Sequence, residues 1–197
     1  MNTVHAEGRK FDTRQLVLIG LFAALVFVGS KIEIRFPTVL GVSRFHLGNA
    51  MCLLAGLTIG AAPGGFAAGF GSFIFDVVFW GGNPAGWLVT FVTKFLMGFV
   101  AGLCWQRQIF RSVPQTANLV LCGVLGQLAY IAGYLLKEFI TARFILEQQM
   151  SVVSLMLLEK GLSSAVNAVI AVVLSVVLFS VLQPALRRSG LIYERSV

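Results

Sequence analysis

Long apolar runs recur along the whole chain, and they constrain its fold more than any other feature. A backbone inside hydrocarbon must satisfy its own N–H and C=O groups, so only helices and closed barrels cross a bilayer. The runs are too long and continuous for the in–out alternation of barrel strands. Six helices fit them, over about 16–30, 47–59, 64–80, 87–105, 117–136 and 152–182, the last closed by Pro184. With 57% hydrophobic and 12% charged residues, nothing is left for a sizeable soluble domain. The expected fold is an all-α integral membrane protein, one six-helix domain over residues 1–197 with polar tails at 1–14 and 184–197.

The charged residues carry the next information. The formal charge is +7, but the basic residues flank the apolar runs, where they orient a membrane protein rather than bind nucleic acid. With the N-terminus cytoplasmic, the inner segments hold Arg9, Lys10, Arg14, Arg107, Arg111, Arg187, Arg188 and Arg195. The outer segments hold Lys31, Arg35, Arg44, Lys137, Arg143 and Lys160, offset by Glu33, Glu138, Glu147 and Glu159. This bias places both termini inside. The polar N-terminus does not read as a signal peptide. Cys52, Cys104 and Cys122 lie in apolar runs and are expected to pack.

The outer segments are unusually charged for passive loops. In 31–46, Ile32, Ile34 and Phe36 alternate with Glu33 and Arg35, a strand-like pattern that Pro37 ends. Segment 137–151 mixes Phe139, Phe144 and Ile145 with charges and reads as an interfacial helix. Both are candidate lids. The second helix spans only roughly 20 Å against a ~30 Å core, and Gly-Ala-Ala-Pro-Gly-Gly at 60–65 then turns the chain. Such short elements leave room for a cavity on one side.

The apolar stretch 45–103 holds one acid and one base, Asp76 and Lys94. Asp76 and Lys94 come to similar depth on antiparallel neighbours joined by the turn at 81–86. A charge in hydrocarbon pairs or faces a polar cavity. A structural Asp76–Lys94 bridge and a ligand contact by one or both fit equally well. Glu159, Ser163 and Asn167 share a face of the sixth helix, although Glu159 also fits a solvated position near the interface. Phe45, His46, Asn49, Trp80, Asn83 and Trp87 gather at the outer ends, either as an interfacial belt or as a pocket for a flat polar molecule. Small residues at Gly64, Gly65, Ala67, Ala68, Gly69, Gly71, Gly98 and Gly102 allow close helix approach. Gly20, Ala23 and Ala24 make a similar patch on the first helix, for internal packing or for a partner. There is no Gly-x-Ser-x-Gly elbow, P-loop or His-Glu-x-x-His. No cofactor or metal is expected, and a membrane enzyme lacks its nucleophile and metal sets.

Residues 45–103, "FHLGNAMCLL…TKFLMGFVAGL", resemble the substrate-binding S components of energy-coupling factor (ECF) vitamin transporters. The nearest branch holds riboflavin-type and hydroxymethylpyrimidine-type S components. It carries aromatic-x-Leu-Gly-Asp, Gly-Ser-x-x-x-Asp and Thr-x-x-x-Lys-Gly-like segments, matched here at 45–49, 71–76 and 90–95. Asn49 replaces the usual acid and Phe95 a usual glycine. The resemblance implies a vitamin bound near the outer surface of a bacterial or archaeal cytoplasmic membrane. It implies a T component, docked on the small patch of the first helix, and two ATPases. It also implies that the S component topples to release its ligand. Riboflavin, pyridoxine, pantothenate, hydroxymethylpyrimidine and a queuosine-like deazapurine all fit as ligands. A stand-alone facilitator or channel is the alternative, and the inverted repeat that would favour it is not visible.

Overall fold

The structure, a computed structural model, describes residues 13–38, 41–79 and 84–188. Its elements run α1 (Thr13–Lys31), β1 (Glu33–Thr38), β2 (Gly41–His46), α2 (Gly48–Ile59), α3 (Ala61–Phe79), α4 (Pro84–Gln106), α5 (Gln115–Ile140) and α6 (Met150–Arg188). A π-helical turn, Thr141–Ile145, continues α5. Five of the helices are long and apolar enough to cross a bilayer. Their outward faces are aliphatic: Leu21, Leu25 and Val28 on α1, and Leu162, Val166, Val169 and Val173 on α6, are exposed. In water such a belt would aggregate; in a bilayer it is solvated.

The exception is α2, at 12 residues only ~18 Å long. Ten of its residues are buried. A helix apolar all round belongs inside a bundle, and α2 packs against every other helix. It needs no length to span, because lipid never reaches it.

Glycines explain how five neighbours crowd one helix. A methyl at Gly56 in α2 would strike the Gly98 carbonyl of α4. One at Gly64 in α3 would stand 2.5 Å from the Gly56 Cα, and one at Gly102 would stand 2.7 Å from the Gly56 carbonyl oxygen. Three backbones therefore touch along one seam, as small residues permit where no hydrophobic force draws helices together. Cys52, Cys104 and Cys122 are free and buried in this interior.

Several boundaries differ from the sequence expectation. The turn expected at 60–65 is one residue: Gly60, at φ 95°, reverses the chain and α3 begins at Ala61. Pro63 stands in the first turn of α3, where an N–H has no intrahelical acceptor. Gln106 caps that turn, its side-chain oxygen accepting from the Ala61 N–H at 3.2 Å. Pro184 does not close the last helix, so the tail expected from 184 is helical to Arg188. One missing donor is tolerated in a bundle helix. At the other end, helix begins at Thr13, inside the expected tail.

Segment 31–46 folds as an antiparallel hairpin with Glu33 opposite His46 and Arg35 opposite Arg44. Pro37 lies within β1, opposite Val42. A two-stranded sheet has only edges, where proline is allowed. The interfacial helix expected over 137–151 is instead the end of α5 plus the π turn. Glu147, at φ 50°, ends that turn, with the Gln148 N–H reaching back to the Ala142 carbonyl at 2.9 Å. This is the left-handed close of a helix C-terminus.

Candidate ligand-binding site

The chain direction brings the ends of α1, α3 and α5, the starts of α4 and α6, and the hairpin to one end of the bundle. A cavity of about 660 Å³ opens there, within the range of small-molecule sites. Ser30, Ser72, Thr90 and Thr93 give it polar patches, and Phe75, Trp87, Tyr130 and Tyr134 give it aromatic ones. Tyr130 and Tyr134, one turn apart on α5, stack with centroids 5.9 Å apart.

Lys94 enters from membrane depth and is 5% exposed. Its ammonium donates to the Asn49 side-chain oxygen and lies 3.9 Å from the Tyr130 ring centroid. Of the two readings that the sequence left level, the direct Asp76–Lys94 bridge is not formed. Both residues line the cavity, but among the described residues no ion pair joins them. Depth along two helices set them level, while rotation about the axes turned Lys94 toward α2 and α5.

The charges of the rim are organised in two sets. Glu33 takes Arg35 (2.8 Å to Nε) and Arg44 (3.5 Å), clasping the hairpin. Glu138 takes Lys137 at 2.6 Å and Lys160 at 3.5 Å, joining α5 to α6. His46 lies on β2 beside the cavity. Burial first, then the positive charges of Lys94 and Arg44, holds its pKa well below the ordinary 6.5, so it is neutral near pH 7. The Trp87 indole N–H is buried without a partner among the described residues.

Of the residues singled out in the sequence, His46, Asp76, Trp87 and Lys94 line the cavity, and Asn49 stands behind Lys94. Trp80 and Asn83 lie outside the described residues. Phe45, Glu159 and Asn167 are not on the cavity wall. Successive helical residues point about 100° apart, and it is Lys160 rather than Glu159 that faces inward. Asn167 is buried deeper in the bundle with its oxygen unpartnered among the described residues. Arg35, Arg44, Tyr130, Tyr134, Lys137, Glu138 and Lys160 were not singled out. The charge of the outer segments and the four-residue tyrosine spacing were the available signals. On α1, Gly20 and Ala24 are exposed. Ala23 beside them is half-buried, and a methyl at Gly71 of α3 would strike its carbonyl.

The sequence model of a family described as "ECF-type riboflavin transporter, S component" matches residues 10–184, reaching into all six helices. A protein of Pyrococcus woesei, described as an uncharacterized protein in gap 3'region, is 28% identical over 107 residues, 54% of this chain and 67% of its own length. Members of the matched family are transporter components rather than enzymes, and they work with a T component and an ATPase module. The chain belongs to the ECF-type S component family, as a multi-pass cytoplasmic-membrane protein serving transport of a vitamin-like substrate.

Proposed function

We propose that this S component captures a small, flat heterocyclic micronutrient in the cavity at the hairpin end, with that end outside and both termini cytoplasmic. The observation that carries the reading is the wall itself. Stacked tyrosines, an indole whose donor has no partner among the described residues and a buried lysine converge on one volume large enough for a two- or three-ring ligand. Tyr130, Tyr134 or Trp87 stacks on the ring. Asp76 accepts from a ring N–H or amine, and Lys94, held by Asn49, donates to the ligand. The hairpin and the π turn act as lids. Riboflavin, pyridoxine, hydroxymethylpyrimidine and a queuosine-like base are the ring candidates, with pantothenate, an open-chain carboxylate, beside them.

Delivery follows by reorientation of the loaded protein, driven by a T component and two ATPases. The T component docks on the exposed small face of Gly20 and Ala24. Mass spectrometry of small molecules retained through purification, with the proteins that co-purify, tests both halves. The expected result is a heterocycle displaced by Lys94→Met and a T component lost on Gly20→Leu. A wild-type chain that carries uptake alone, without T component or ATPases, would instead make it a facilitator.

A further inference from the structure

Lys94 is a buried cation whose contacts are neutral. Its ammonium meets an amide oxygen of Asn49 and the face of Tyr130. Among the described residues no carboxylate stands within ion-pair distance of it. The wall offers two carboxylates. Glu138 is engaged by Lys137 and Lys160, and Asp76 makes no ion pair with Lys94. Five cations also line the wall, of which Arg35 and Arg44 are held by Glu33, and Lys137 and Lys160 by Glu138, leaving Lys94. Buried charges are normally paired, and this one faces the cavity with no carboxylate in contact, Asp76 acting on it only from across the wall.

We infer that Lys94 receives an anionic group of the ligand, so that the cavity selects a flat ring bearing a carboxylate or comparable oxyanion over its neutral amide. This rests on the reading of the cavity as a flat-ring site. Asn49 is the device that makes the selection work. As a neutral acceptor it fixes the direction of the ammonium without discharging it. A carboxylate at that position would form an internal ion pair and leave nothing for the ligand. The anion, entering with its ring on the tyrosine wall, completes a charge-assisted hydrogen bond in a water-poor site.

Nicotinate and nicotinamide test this. They share a ring, differ by one negative charge, and are polar enough to stay out of detergent micelles. Calorimetry on the full chain in dodecyl maltoside should find nicotinate bound about tenfold more tightly than nicotinamide. Asn49→Asp, which places a counter-ion beside Lys94 without leaving any charge unpaired, should erase the preference. Lys94→Gln should erase it too. Equal binding of the two probes to the wild type overturns the inference while leaving the flat-ring site standing. Binding of neither probe also overturns the inference, and the flat-ring site itself then stands or falls on the small molecule retained through purification. A nicotinate preference that survives Asn49→Asp hands the anion to another cation and overturns the role of Lys94.

Discussion

The glycine seam supports a quantitative prediction at Gly64. Alanine there would put its Cβ 2.5 Å from the Gly56 Cα, 2.6 Å from the Gly56 nitrogen and 2.8 Å from the Ala55 carbonyl carbon. Every one of these atoms is backbone, so no side chain can swing aside. Carbon–carbon contact relaxes at about 3.5–4.0 Å, so α3 must draw back from α2 by about 1 Å. A gap of that size forfeits a quarter to a half of each neighbouring contact. Overpacking of this kind costs about 1–3 kcal/mol, and the absence of a yielding neighbour puts Gly64→Ala at the upper end, about 3 kcal/mol. Gly20→Ala is the control, since nothing lies within 4 Å of a methyl there, and it should stay within about 0.5 kcal/mol of the parent. SDS titration from dodecyl maltoside micelles, followed by tryptophan fluorescence, measures the difference. Equal midpoints for the two variants would refute the argument that backbone contact at the seam holds these helices.

Other tests address the rim. Glu138→Gln leaves Lys137 and Lys160 facing each other without a counter-ion. With those lysines 36% and 32% exposed, it should cost about 1–2 kcal/mol in the same titration. Glu33→Gln should cost less, about 1 kcal/mol at most, because Arg35 is 53% exposed; faster amide exchange confined to β1 and β2 is its signature. His46 has a folded pKa below its unfolded value, so below about pH 6.5 the unfolded hairpin binds more protons and stability falls as pH falls. Protection factors of the β2 amides, measured against the intrinsic exchange rate at each pH, should fall from about pH 6.5 downward, and His46→Gln should flatten that dependence. A two-residue change, Gly20→Leu with Ala24→Leu, should abolish T-component pull-down and leave probe binding intact, since both residues lie on the exposed face of α1, away from the cavity.

The bundle was legible because its signals are local. Continuous apolarity marked each helix, and the bounded run at 47–59 announced a short one. The errors came where a residue's meaning depends on neighbours. Pro63 and Pro184 read as breakers, yet a helix accepts one in its first turn and a bundle forgives the other. The level of Lys94 followed from counting residues from a turn. Its partner did not, because Asn49 arrives from a third helix whose rotation no count reveals. The same ignorance of rotation favoured Glu159 over Lys160. Tyr130 and Tyr134 carried no charge to stand out against α5, and only the convergence of five helix ends made them a wall.

The seam also decides where the molecule can bend. Helices that touch backbone to backbone have no side chains to repack, so α2, α3 and α4 form a stiff keel. Gly71 ties α1 to the same body, its missing methyl leaving room for the Ala23 carbonyl and the Val26 side chain. If a partner presses on the Gly20–Ala24 face of α1, as proposed, this stiffness would pass the push on as rotation of the whole unit rather than absorb it as flexure. The junction of α5 with α6 has no such seam and is tied by side chains, the Glu138–Lys160 pair among them, so freedom to shift lies there rather than in the keel.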